Sequence, residues 1–166
     1  MIAMKSKTVY LARCAVLTAL ACALTIFPKV PIGEGYVHFG DCVIYAAALV
    51  MGSGAGAFVG AVGHSLADLI SGFPVYCIPT FIIKGILGFT IGKILHEKQN
   101  TKRYILAAAA SLVIVTGGYF IAELPLFGSA QAIVSLLSSP IQWAMSMAAS
   151  AVIIPVLVKN KNRLDF

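Results

Sequence analysis

Five ionisable side chains, Asp41, His64, Asp68, Lys84 and Glu123, sit in or against stretches that otherwise read as membrane-spanning. Lipid tolerates such groups poorly, so each needs an ion-pair partner, a wet cavity or a proton or ligand to handle. Their spacing adds to the point, because residues four apart share a helix face. Asp41 lines up with Tyr45, His64 with Asp68, and Tyr119 with Glu123; Gln142 and Ser146 flank Trp143 in the same way. Lys84 falls between one and two turns into its own segment. Five separate helices thus offer hydrogen-bonding side chains at one depth, which predicts a polar, partly wet cavity open to one side of the membrane.

Each residue also has a plainer role to weigh against that. Asp41 follows Gly40 and suits a helix cap. Asp68 and Lys84 suit a structural ion pair between two helices. Glu123 suits a solvated interface, and His64 a satisfied interhelical hydrogen bond. Any one of these is unremarkable, but five at one depth favour the cavity.

Several chemistries are missing. There is no G-x-x-x-x-G-K-[ST], so ATP binding through a P-loop is excluded, and no H-E-x-x-H or G-x-S-x-G occurs. His38, His64 and His96 read as too scattered for a metal site, so neither a metal nor a cofactor is expected. Cys14 and Cys22 share one helix and read as packing residues, whereas Cys42 and Cys77 lie close enough to one face for a disulfide to be conceivable. Without a nucleophile–base or metal constellation, the chain does not read as an enzyme.

The elements that position these residues are helices. Hydrophobic residues make up 60% of the 166 positions and charged ones 11%, less than half the roughly 25% usual for a soluble domain. Mean hydropathy is +0.94. The expected fold class is all-α, a polytopic membrane protein forming a single domain over residues 1–166. Six transmembrane helices are predicted at 8–27, 41–52, 54–71, 79–95, 104–123 and 138–158, the first a retained span rather than a signal peptide. Pro28 and Pro31 close the first, Pro125 ends the fifth and Pro140 opens the sixth, while Gly52 to Gly56 reads as a tight turn. Basic residues cluster at Lys5, Lys7 and Arg13, at Lys93 to Arg103, and at Lys159 to Arg163. The positive-inside rule then puts both termini in the cytoplasm and the segments 28–40, 72–78 and 124–137 outside. It also accounts for the net charge of +6 without nucleic acid, since no aromatic residues interleave with the basic ones.

Small residues show where helices approach closely. Gly56 and Gly60, and Gly88 and Gly92, form small-xxx-small ridges suited to internal packing. Ala15, Ala19 and Ala23 make a comparable stripe on the first helix that could receive an external helix.

Tyr36-Val-His-Phe-Gly-Asp41, Ile44 to Leu49, Gly60 to Asp68 and Pro79-Thr-Phe-Ile-Ile-Lys-Gly85 together carry a family likeness. The chain resembles the substrate-binding S components of energy-coupling factor (ECF) vitamin importers, in the broad group that includes riboflavin-type members. The likeness covers nearly the whole chain. It implies a six-helix protein of the bacterial cell membrane that captures a vitamin on the outer side beneath a lid, here about Pro28 to Gly40. It further implies docking through Ala15, Ala19 and Ala23 onto a transmembrane coupling protein (EcfT-like) that carries two ATPase subunits. Gly40-Asp41, Asp68 and Lys84 match general features of the family, and Tyr45, which shares a helix face with Asp41, is counted with them among the substrate-binding residues. His38, His64, Tyr76, Tyr119, Glu123, Gln142 and Trp143 are the residues expected to choose the ligand. Aromatic faces plus an acid, an imidazole and an amide suit a small heteroaromatic vitamin or precursor, pyridoxine-, hydroxymethylpyrimidine/thiamine- or riboflavin-like. The alternative is a small proton- or ion-coupled secondary transporter working alone, with Asp68 and Glu123 as relays.

Overall fold

The computed structural model describes residues 2–27, 30–32 and 35–160. Pro28, Lys161 and Arg163, and part of the expected lid, lie outside them. Six helices dominate: α1 (Ile2–Ile26), α2 (Asp41–Met51), α3 (Ser53–Ile70), α4 (Cys77–Leu95), α5 (Thr101–Phe127) and α6 (Ser129–Asn160). A short antiparallel hairpin, β1 (Val30–Ile32) with β2 (Gly35–Val37), stands between α1 and α2, pairing Val30 with Val37 and Pro31 with Tyr36. A 3₁₀ turn, Pro74–Tyr76, leads into α4.

Four helices are long and apolar enough to cross a membrane: Lys7–Ile26, Pro74–Leu95, Thr101–Phe127 and Ser129–Lys159. Their outward faces carry large apolar side chains, such as Val16, Ile78, Val113 and Val152, each about 70% exposed. So much exposed apolar surface suits lipid, not water. The chain is an integral membrane protein. α2 is different, being only 11 residues long, with nine of them buried. It is a core helix, enclosed by α1, α3, α4 and α6.

Glycine governs the tightest contact. α3 and α4 pack so closely that a Cβ on Gly56 would lie 2.6 Å from the Gly88 carbonyl oxygen, and Gly60 and Gly92 meet α4 or α3 backbone in the same way. Both expected ridges are therefore internal. The stripe Ala15, Ala19 and Ala23 on α1 is exposed.

Three expectations about boundaries need correction. α5 continues through Pro125 to Phe127, and α6 begins at Ser129, so 124–137 is helical apart from Gly128. Gly128 makes the break itself, at φ 83°, a conformation that glycine adopts without strain. Pro140 lies well inside α6, costing one backbone hydrogen bond that a bundled membrane helix tolerates. The link between α2 and α3 is Gly52 alone, at φ 92°, with α3 starting at Ser53. The all-α expectation also missed the hairpin.

Candidate ligand-binding cavity

Two polar assemblies lie side by side at the hairpin end of the bundle. The first is a buried charge cluster. Lys84, with no exposed surface, donates to both oxygens of Asp41 at 2.7 and 2.8 Å. Gln142 adds a 3.3 Å hydrogen bond to Asp41 Oδ2. His64 donates from Nδ1 to the Gly60 carbonyl at 3.1 Å, while its Nε2 lies 3.1 Å from Asp41 Oδ1, out of line for a hydrogen bond. Gly40 makes the cluster sterically feasible, because a Cβ there would fall 2.8 Å from His64 Nε2 and closer still to Thr25.

This geometry overturns two expectations. Asp41 does not cap α2: Gly40 holds the cap position and no side chain bonds there. Lys84 pairs with Asp41, not Asp68, since it is Asp41 that lies within reach of its ammonium. Nor are the histidines all scattered. The His38 and His64 rings stand 5.2 Å apart, and with Asp41 they place ligand-type atoms within 4.8 Å of one another. Two of the three residues are engaged, whereas His64 Nε2 has no hydrogen-bond partner. His38 Nδ1 accepts the Gly40 N–H at 3.1 Å, and Lys84 fills the place of a cation on Asp41. His96 lies elsewhere, with Nδ1 3.0 Å from the Leu49 carbonyl. All four cysteines, Cys42 and Cys77 included, are free thiols.

The second assembly is a cavity of about 50 Å³. Its wall includes His38, Asp68, Tyr76, Tyr119, Glu123 and Gln142 from the expected set. It also includes Tyr36, Val37, Thr80, Ser135, Ser138 and Ser139, which sequence reasoning missed. Ser135, Ser138, Ser139 and Gln142 share one face of α6, a pattern that shows only once the helix is begun at Ser129. Thr80 is one turn from Lys84, so its face was legible. Tyr36 sits on a strand that a helical reading does not place.

The cavity carboxylates are held only by hydroxyls. Glu123 Oε1 accepts from Tyr76 at 3.0 Å and Oε2 accepts from Ser135. Asp68 Oδ1 accepts from Tyr36 at 2.7 Å, tying the hairpin down onto α3, whereas Oδ2 is buried without a hydrogen bond of good geometry. Burial, reinforced by the Asp68 charge, pushes the Tyr36 phenol up, so it stays a donor. Burial holds the His38 imidazole well below its usual range, with Lys84 and His64 adding to this and Asp41 opposing it. Thr80 and Tyr119 share a 3.1 Å hydrogen bond, and Lys84 Nζ sits 5.6 Å from the Tyr119 ring centre, linking the two assemblies. Phe73, Tyr76, Tyr119 and Phe127 continue an aromatic cluster around the cavity, with Tyr76 stacked on Phe127 at 5.4 Å.

Tyr45 and Trp143 do not reach this wall. The Tyr45 hydroxyl donates to Ser111 at 2.6 Å, and Trp143 Nε1 donates to the Ala108 carbonyl at 2.9 Å and to Ser111 at 3.0 Å. Asp41, His64 and Lys84 stand behind the wall and meet it through Gln142.

The family model described as "ECF-type riboflavin transporter, S component" matches residues 5–163. The chain belongs to this S-component family. One relative is a thiamine precursor transporter, HmpT, from Lactococcus lactis subsp. cremoris (strain MG1363), 28% identical over 120 residues, which is 72% of this chain and 68% of that protein. Another is an uncharacterized protein from Pyrococcus woesei, 31% identical over 113 residues, 68% of this chain and 76% of its own. The chain is thus an S component of a vitamin transporter, and the family implies a vitamin substrate and an ECF module as partner. A riboflavin-type family description beside a thiamine-precursor relative leaves the ligand to be argued from the cavity.

Proposed function

We propose that this S component captures a small heteroaromatic vitamin or precursor from the extracellular side of a bacterial cell membrane. It has no catalytic role of its own and becomes a transporter when docked on a transmembrane coupling protein with two ATPase subunits. The observation that carries this reading is an aromatic-lined polar cavity at the hairpin end of a membrane bundle whose family is that of vitamin importers. In this reading all six helices form one membrane domain with both termini cytoplasmic, the short α2 being sheltered by its neighbours. That orientation puts the basic residues of the α4–α5 connection inside and the hairpin outside.

The ligand enters by displacing the hairpin. A volume of about 50 Å³ admits a few waters, at 10–15 Å³ apiece, but no heteroaromatic ring. Release of the Tyr36–Asp68 hydrogen bond frees both the lid and an acceptor. On α1, which contributes no residue to the cavity wall, the exposed Ala15, Ala19 and Ala23 offer the stripe of small residues that close docking of another helix needs.

Uptake in cells is expected to vanish without the coupling module, while the purified chain still binds its vitamin. Replacing Ala15 and Ala19 together by Leu should leave that binding intact and abolish co-purification with the module. Robust uptake by this chain alone, or normal assembly of the double variant, would refute the reading.

A further inference from the structure

We infer that the cavity selects a ligand bringing N–H donors and no anionic group, an amino-substituted or cationic nitrogen heterocycle rather than a carboxylate- or phosphate-bearing vitamin. The inference rests on the capture reading above and narrows it.

Acceptors outnumber committed donors on the cavity wall. Asp68, 6% exposed, has its Oδ2 buried with no hydrogen bond of good geometry, the Thr80 hydroxyl interacting with the carboxyl group beside it. A buried acceptor left unsatisfied is costly, so a ligand donor placed there recovers more free energy than an ordinary hydrogen bond. Glu123, 2% exposed, receives one hydroxyl on each oxygen. A carboxylate has about four acceptor positions, so roughly half of its capacity remains for a ligand.

Among the described residues, no cation bonds to either of these two acids. Among the described residues, no Lys or Arg lines the cavity. The nearby ammonium, Lys84, is spent on Asp41 through two short bonds. Gln142, the amide shared by cluster and wall, directs its N–H toward Asp41 Oδ2. His38 accepts the Gly40 N–H at Nδ1, as a neutral ring does, so it adds one Nε2–H donor to the wall but no charge. The remaining wall groups, among them Thr80 and Tyr119, are hydroxyls that serve either sense. An anionic vitamin would therefore meet two acids in a low-dielectric pocket whose described wall carries no Lys or Arg. A ring carrying amino groups or a positive charge, stacked among Tyr76 and Tyr119, meets acceptors that lack donors.

Titration calorimetry on the purified chain, stripped of ligand, tests this with five probes. 4-Amino-5-hydroxymethyl-2-methylpyrimidine and thiamine carry amino groups, riboflavin is a neutral and larger ring system, and nicotinate and pyridoxal phosphate are anionic. An amino probe is expected to bind at least about 100-fold more tightly than either anion. Asp68→Asn and Glu123→Gln are each expected to weaken that probe about tenfold or more, at unchanged elution volume and unfolding temperature. Tightest binding by nicotinate, pyridoxal phosphate or riboflavin would overturn the inference while leaving vitamin capture intact. So would an Asp68→Asn variant that folds and binds the amino probe like the parent. Should the variants fail to fold, the probe ranking on the unaltered chain still decides. If no probe binds and mass spectrometry finds no co-purified vitamin, both the inference and the capture reading fall.

Discussion

Asp41 and Asp68 are the same residue type at the same end of the bundle, yet they live under opposite conditions. Asp41 has both oxygens filled by Lys84, one more contact from Gln142, and His64 beside it. Asp68 has one oxygen filled by a tyrosine on the hairpin and one without a hydrogen bond of good geometry. The first carboxylate completes a closed electrostatic unit that joins α2, α3, α4 and α6. The second is an incomplete unit that a ligand could finish. A buried charge is therefore evidence of function mainly when its partners do not add up.

The contrast is broken most forcefully from the Lys84 side. Lys84→Met strands Asp41 in the core and should cost about 3–5 kcal/mol, read as unfolding in mild detergent by titration with SDS. Asp41→Asn should cost a comparable amount by stranding the ammonium instead. The double variant should be less damaged than the sum of the two, because it removes both charges together. Additive losses would mean that the pair is not the closed unit described.

A smaller effect is expected from pH. His38 is buried neutral in the fold, so its folded pKa lies below the unfolded value of about 6.5. Its contribution to stability is then present above pH 6.5 and is lost as pH falls below it, at up to about 1.4 kcal/mol per pH unit. Unfolding followed at pH 7.5 and 5.5 should show this loss, and His38→Gln should remove that part of it. A smaller change comes from Asp68→Asn. Without ligand it should alter stability by no more than about 1 kcal/mol, since Tyr36 can still donate to the amide oxygen and no cation is stranded. The same Asp-to-Asn exchange would thus be severe at one site and mild at the other, which a side-by-side melting series checks directly.

Much of this was legible in the sequence, and the gaps have physical causes. The depth of the five ionisable residues followed from helical periodicity alone, because apolar spans give each residue a height. Which acid would take Lys84 did not follow, because that depends on how far α2 sinks between α1 and α3. Gly40 controls that approach by leaving room for Thr25 and His64. The serine face of α6 was hidden by Pro140, which signals a helix start in water but is accommodated inside a packed membrane helix. Tyr36 was hidden because three-residue strands carry too little periodicity to be read.

The smallest expected effect concerns Tyr45, which was expected at the ligand site but bonds away from the cavity wall. Its hydroxyl donates to Ser111, which also accepts from Trp143 and donates to the Ala108 carbonyl. Tyr45→Phe removes one donor from a serine that keeps its other two bonds, so no buried group is left orphaned. The loss should stay at about 1 kcal/mol or below, and vitamin affinity should be unchanged. Tyr36→Phe removes the same group from Asp68 Oδ1, leaving a carboxylate whose other oxygen already lacks a hydrogen bond of good geometry. That change should alter ligand affinity measurably, because this bond joins the hairpin to a cavity acceptor. Calorimetry on the two variants separates a hydroxyl that props up the bundle from one that guards its cavity. Equal affinities in both would erase the distinction between the two kinds of buried polar group.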